Sequence, residues 1–195
     1  METDERTKRA IEIIEHSVER LDNLVSIARR IDEASAEIID PTCEAIEIAA
    51  LCQKLAEEFT EALASKSVSV SVNAESPVFV SAKEDLLETV LENLLENASS
   101  FSPNGSSIKI NITAENGFGV VTIRDSGPGI DQADIERVFD RYFTKRDSNK
   151  GDQPDKHFGV GLWIVRRNVE AFGGTVMAAN RKNGGLKITL SLPLS

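Results

Sequence analysis

Residues 120–130 read Val120-Val121-Thr122-Ile123-Arg124-Asp125-Ser126-Gly127-Pro128-Gly129-Ile130, an alternating run that ends in a carboxylate and a glycine-rich turn. The period of two predicts a half-buried strand with Asp125 at its end. A carboxylate so placed can accept a hydrogen bond from an exocyclic amine, and the glycines let a flat ring approach the backbone. Asp-Ser-Gly-Pro-Gly is equally good chemistry for a plain turn. Outward from this stretch, strand patterns occur at 67–72, 78–80, 108–113, 118–124, 175–179 and 186–192, and helical patterns at 83–100, 131–138 and 162–172. Strands and helices mix without strict βαβ alternation. This predicts an α+β fold, a two-layer α/β sandwich with helices on one face of a mixed sheet, rather than a doubly wound parallel one.

In the helix over 83–100, Leu86, Leu87, Val90, Leu91, Leu94, Leu95 and Ala98 define a buried face, while Glu88, Glu92 and Glu96 point away from it. Asn93 and Asn97, four residues apart, share a line at one margin of that face. An asparagine carbonyl is a neutral ligand suited to Mg²⁺, and its amide donates to phosphate. Asparagines at such a border also serve as caps or solvent contacts. A third signal is His157-Phe158-Gly159-Val160-Gly161-Leu162-Trp163, where glycines open a helix whose free N–H groups and dipole favour anions. It follows a stretch, 144–158, that lacks periodicity, as lids and disordered segments do.

The N-terminal part is of another kind. Residues 5–39 hold no glycine or proline and carry Ile11, Ile14, Val18, Leu21, Val25 and Ala28 at spacings of three and four. That pattern predicts an amphipathic helix about 50 Å long, more than a small core covers, so it calls for a partner helix. Asp40-Pro41 ends it, and Thr42 is placed to cap a second helix with Ile48, Cys52, Leu55, Phe59 and Leu63 facing inward. The division expected is 1–40 as the helix of a hairpin whose first helix is missing, and 41–195 as the globular domain. Cys43 and Cys52, nine residues apart in one helix, would lie on opposite faces too far apart for a disulfide, as small buried residues. The 195 residues carry 22 lysines and arginines against 32 aspartates and glutamates, a net charge of −10 that argues against nucleic acid and anionic membrane as partners. No apolar run spans a bilayer and the first residues are too charged for a secretory signal, so a cytoplasmic location is expected.

Taken in order, these signals resemble the catalytic ATP-binding domain of bacterial sensor histidine kinases, in the ATPase superfamily shared with gyrase, a chaperone and mismatch-repair proteins. Residues 91–98 look like the family's asparagine box, 125–129 like its first glycine box, 138–143 like its phenylalanine box, and 159–162 like its second glycine box. Residues 173–175 to 192–193 look like its closing strands. The resemblance implies the Bergerat-type ATP-binding fold with ATP and Mg²⁺ as cofactors. It assigns Mg²⁺ to Asn97, the phosphate side to Asn93, the adenine amine to Asp125, and the phosphate cradle to Gly159, Val160, Gly161 and Leu162. Gly127, Gly129, Ile130 and Tyr142 complete the ATP contacts, under a mobile lid at 144–158. Thr144 stands where many members have arginine, so the cation beside the γ-phosphate falls to Arg141, Lys145 or Arg146. With Asn93, Arg141 and Lys145 form the implied catalytic set. His157 replaces a glycine and Leu186 a threonine often found in the family.

Members also carry a phosphoacceptor histidine followed by an acidic residue. The histidine of the long helix, His16, is followed by Ser17 with no proline near, so it is not read as the acceptor. The expected activity is therefore Mg·ATP-dependent phosphoryl transfer to a histidine on a hairpin in the same or another chain. A response regulator receiver domain would be the partner, and the chain would dimerise only with the full hairpin present. Hydrolytic relatives place a glutamate where Asn93 stands, and asparagine cannot accept a proton from water at neutral pH. A nucleotide-gated module that regulates a partner without phosphoryl transfer is the remaining alternative.

Overall fold

Ile108, Ile110 and Ile112 project from one side of strand β4 (Ser107–Glu115) into the core, and Lys109 and Thr113 from the other into solvent. The same period of two runs through β5 (Phe118–Arg124) and β7 (Leu186–Pro193), with Val121, Ile123, Ile188, Leu190 and Leu192 inward. With β2 (Ser69–Ala74) and β6 (Thr175–Asn180) these strands make a five-stranded sheet in the order β2-β4-β5-β7-β6. The β2–β4 pair is parallel and the remaining pairs antiparallel. The computed structural model describes residues 42–144 and 159–195, plus helical Ile11, Ile14, Ser17, Val18, Val25 and Ala28.

Three helices cover the inner face of the sheet: α1 (Ile48–Ala62), α2 (Glu84–Phe101) and α3 (Gly161–Ala171). Leu55, Leu87, Leu91, Leu94, Leu95 and Ile164 are almost fully buried among them. The mixed two-layer arrangement is the one expected. A short antiparallel ribbon, β1 (Glu44–Glu47) with β3 (Phe79–Ala82), flanks it. Ile11, Ile14, Val18 and Val25 are each half or more exposed, so the described part of the N-terminal apolar seam is not part of the core.

Two local expectations are corrected. Residues 44–47 extend and pair with β3, and the Ile48 N–H donates to the Val78 carbonyl, so α1 starts later than Thr42. Its cap is Glu47, whose carboxylate accepts from the N–H groups of Ala49 and Ala50 at 3.1 and 2.7 Å. Pairing across the ribbon overrides the helix propensity of this stretch. Cys43 consequently lies outside the helix and is exposed, while Cys52 is buried, and both are free thiols. Second, the helix expected over 131–138 is two single 3₁₀ turns, Gln132–Asp134 and Arg137–Phe139. A segment this short gains too few bonds to repay helix nucleation, and i to i+3 bonds close each turn instead.

Candidate functional site

Asp125 sits at the end of β5 and is buried. Its Oδ1 accepts two backbone hydrogen bonds, from Gly127 N at 2.8 Å and from Leu186 N at 3.0 Å. The second ties it to a strand 61 residues away. With Oδ1 held, the carboxylate cannot rotate freely, and Oδ2 remains as an acceptor with no hydrogen bond among the described residues. The carboxylate contributes both an anchored oxygen and an acceptor of fixed direction.

The turn after Asp125 is braced from the β6–β7 hairpin, a support that reading the sequence missed. The Asn180 side chain accepts from Ile130 N at 2.9 Å, and its amide donates back to the Ile130 carbonyl. Arg181 donates through its guanidinium to the Asp125 carbonyl. The hairpin is legible in Asn-Gly-Gly between two alternating strands, residues 183–185. Its grip on residues 125–130 is not, because that grip comes from the sheet register.

At the other end, Asn93 is buried rather than marginal, and its Nδ2 donates to the Thr89 carbonyl at 2.7 Å. A Cβ on Gly161 would stand 2.9 Å from Asn93 Oδ1, so glycine there lets the start of α3 press against α2. No side chain caps α3, and its first intrahelical bond is from Ile164 N to the Val160 carbonyl. The N–H groups of Gly161, Leu162 and Trp163 therefore have no intrahelical partner. Two turns further along α2, the Phe101 carbonyl lies 2.9 Å from where a Gly127 Cβ would be. About 12 Å of helix thus separates the Asn93–Gly161 end from the Phe101–Gly127 end. Asn97 lies between them, half-buried, its side chain making no hydrogen bond among the described residues.

Arg141 is held over aromatic rings, its guanidinium carbon 4.8 Å from the Tyr142 ring centre and 5.2 Å from that of Trp163, in the first turn of α3. Tyr142 has a left-handed φ of 66° and donates its N–H to the Gly159 carbonyl at 2.8 Å. That bond brings the chain on either side of 144–158 to one point. Val160 and Phe139 are buried, and Leu162 and Ile130 pack against the core. Lys145, Arg146, His16 and His157 lie outside the described residues, as does the segment expected to act as a lid. No group of three or more metal-ligating side chains occurs among the described residues.

Residues 82–195 match the family described as histidine kinase-, DNA gyrase B- and HSP90-like ATPases, and the chain belongs to that family. Its relatives include proteins named as sensor proteins and as sensor histidine kinases. It is 32% identical to sensor protein ChvG of Rhizobium meliloti (strain 1021) over 97% of this chain and 35% of that protein. To sensor protein KdpD of Clostridium acetobutylicum it is 38% identical over 65% of this chain and 14% of that protein. The chain spans about a third of the length of ChvG. Full-length ShkA, solved in complex with AMPPNP, superposes with a TM-score of 0.74 at 21% identity, covering 100% of this chain and 39% of that one. No helix among the described residues is long and apolar enough to cross a membrane.

Proposed function

We propose that this chain is the Mg·ATP-dependent catalytic domain of a protein-histidine kinase, passing the γ-phosphoryl group of ATP to a histidine on a helical hairpin. The observation that carries the reading is Asp125, with one oxygen locked by two N–H groups and the other left to accept from a purine amine. The uncapped start of α3 and the stacked Arg141 supply positive potential about two helical turns away, so a nucleotide would lie along α2. Asn93, Arg141 and Lys145 are the proposed catalytic residues. Gly127, Gly129, Ile130, Tyr142, Arg146, Gly159, Val160, Gly161 and Leu162 are proposed to line the nucleotide.

Mg²⁺ suits the donors present only as a guest of the triphosphate. Asn97 offers one neutral oxygen, and Mg²⁺ is usually held by one or two protein ligands with phosphates and water. When bound, the ion neutralises phosphate charge. The chain's own residues orient the nucleotide: Asp125 and the 127–130 turn fix the base, and Asn93 and the α3 N–H groups fix the phosphates. Asn93 cannot take a proton from water, which favours transfer over hydrolysis. We further propose residues 1–40 as hairpin helix and 41–195 as catalytic domain, a response regulator as the downstream partner, and a cytoplasmic location.

The test supplies γ-labelled ATP, the 195-residue chain and a separate acceptor hairpin carrying a phosphorylatable histidine. Label on the hairpin that is acid-labile and lost in Arg141→Ala or Asn93→Ala supports the kinase. Tight ATP binding with no transfer to any hairpin would favour the regulatory module instead.

A further inference from the structure

The face of the sheet turned away from the three helices carries a row of like charges that the site does not use, with Lys109 exposed and Arg124 and Lys187 half-buried. Lys109 of β4 stands directly opposite Arg124 of β5, and Arg124 directly opposite Lys187 of β7. Ser71 and Ala179 flank the row on β2 and β6. Directly opposed like charges destabilise a sheet. No ion pair relieves them among the described residues, and the five strands contain one carboxylate, Glu115. Six residues along β4 from Lys109, about 20 Å away, Glu115 accepts from the Thr113 hydroxyl at 2.8 Å. In a chain of net charge −10, three cations have been gathered onto one cross-strand row, beside a row made of Asn111, Thr122, Thr189 and the exposed Met177.

We propose that this row is a docking surface for an acidic helical segment of a partner protein. Neighbouring strands are about 4.8 Å apart, so the row spans roughly 10 Å. Carboxylates at positions i and i+4 of a helix stand about 5–6 Å apart, close to the spacing of two neighbouring cations in the row. Met177, at the edge strand of the next cross-strand row, offers an adaptable apolar contact beside the charges. Nucleic acid fits poorly, because its binders commonly make about 6–10 phosphate contacts. An anionic membrane fits poorly too, since polybasic anchors use about 4–8 cations.

The probe is a fluorescent synthetic helix with glutamates at i and i+4 in an alanine background, titrated by anisotropy into the full 195-residue chain at low salt. Expected is binding that weakens with salt and falls roughly tenfold or more in the combined Lys109→Ser, Arg124→Thr, Lys187→Ser variant. Lys54→Ser, on helix α1 at the other side of the sheet, should leave it intact. The combined variant should melt at the same temperature as the parent or higher, since it removes repulsion. Equal peptide binding by the combined variant overturns the proposal, and so does a lower melting temperature, which would make the cations structural. A DNA duplex or phosphatidylserine vesicles binding as tightly as the peptide would overturn the choice of a protein partner. Self-association lost in the combined variant would reassign the row to a second copy of the chain.

Discussion

Asp125→Asn isolates one oxygen. The substituted side chain keeps Oδ1 for Gly127 and Leu186 but turns the Oδ2 acceptor into a donor facing the proposed purine amine. The melting temperature should move little, while calorimetric titration should show ATP affinity reduced by about 1.5–3 kcal/mol, the scale of a hydrogen bond to a charged group. Cys52 gives a second residue-scale outcome. Burial, aided by the nearby Glu47 carboxylate, pushes its thiol up from 9.0 to about 12. A thiol reagent at mildly alkaline pH should therefore label Cys43 quickly and Cys52 only after unfolding. Because the folded-state value is the higher one, this contribution to stability is complete below pH 9.0 and declines as pH rises towards about 12. Cys52→Ala should flatten that alkaline decline in denaturant melts.

The β6–β7 hairpin acts as a clamp on the loop after β5. Asn180→Ala strips partners from both the N–H and the carbonyl of Ile130 and should cost about 1–2 kcal/mol by urea unfolding. Nucleotide affinity should fall with it, and Asn180→Ser, which keeps a shorter polar group, should recover part of both. At the scale of the sheet, Arg124→Thr removes two opposed like-charge pairs and inserts a strong strand former. A gain of about 0.2–1 kcal/mol per pair is expected, read as a higher urea midpoint at unchanged slope. A lower midpoint would mean that the Arg124 aliphatic stem packs more productively than its charge repels.

For the whole molecule, every described residue of the core cluster lies between Ile46 and Leu192, and the described apolar residues of the N-terminal helix are exposed. A fragment of residues 42–195 should thus unfold in one cooperative transition. Its melting temperature should fall within about 2–4 °C of the full chain, the shift that roughly 1 kcal/mol produces at this size. A much lower value, or loss of cooperativity, would show that the first 41 residues belong to the same folding unit.

Local periodicity was enough to read element type and buried face: the isoleucines of β4, the leucines of α2 and the alternation leading to Asp125 needed only periods of 2 and 3.6. It failed at 44–47 and 131–138, where few residues are involved and the outcome rests on a partner strand or on turns too short to nucleate a helix. Asp125, Asn93, Asn97 and the glycines were legible as candidates because their residue types suit a nucleotide. What holds them was not legible. Asp125 meets Leu186 across 61 residues, Ile130 meets Asn180 across 50, and Gly161 reaches Asn93 from another helix. A residue's propensity acts over a few neighbours, whereas these contacts are set by which strands pair and in what register, and only the tertiary structure decides that.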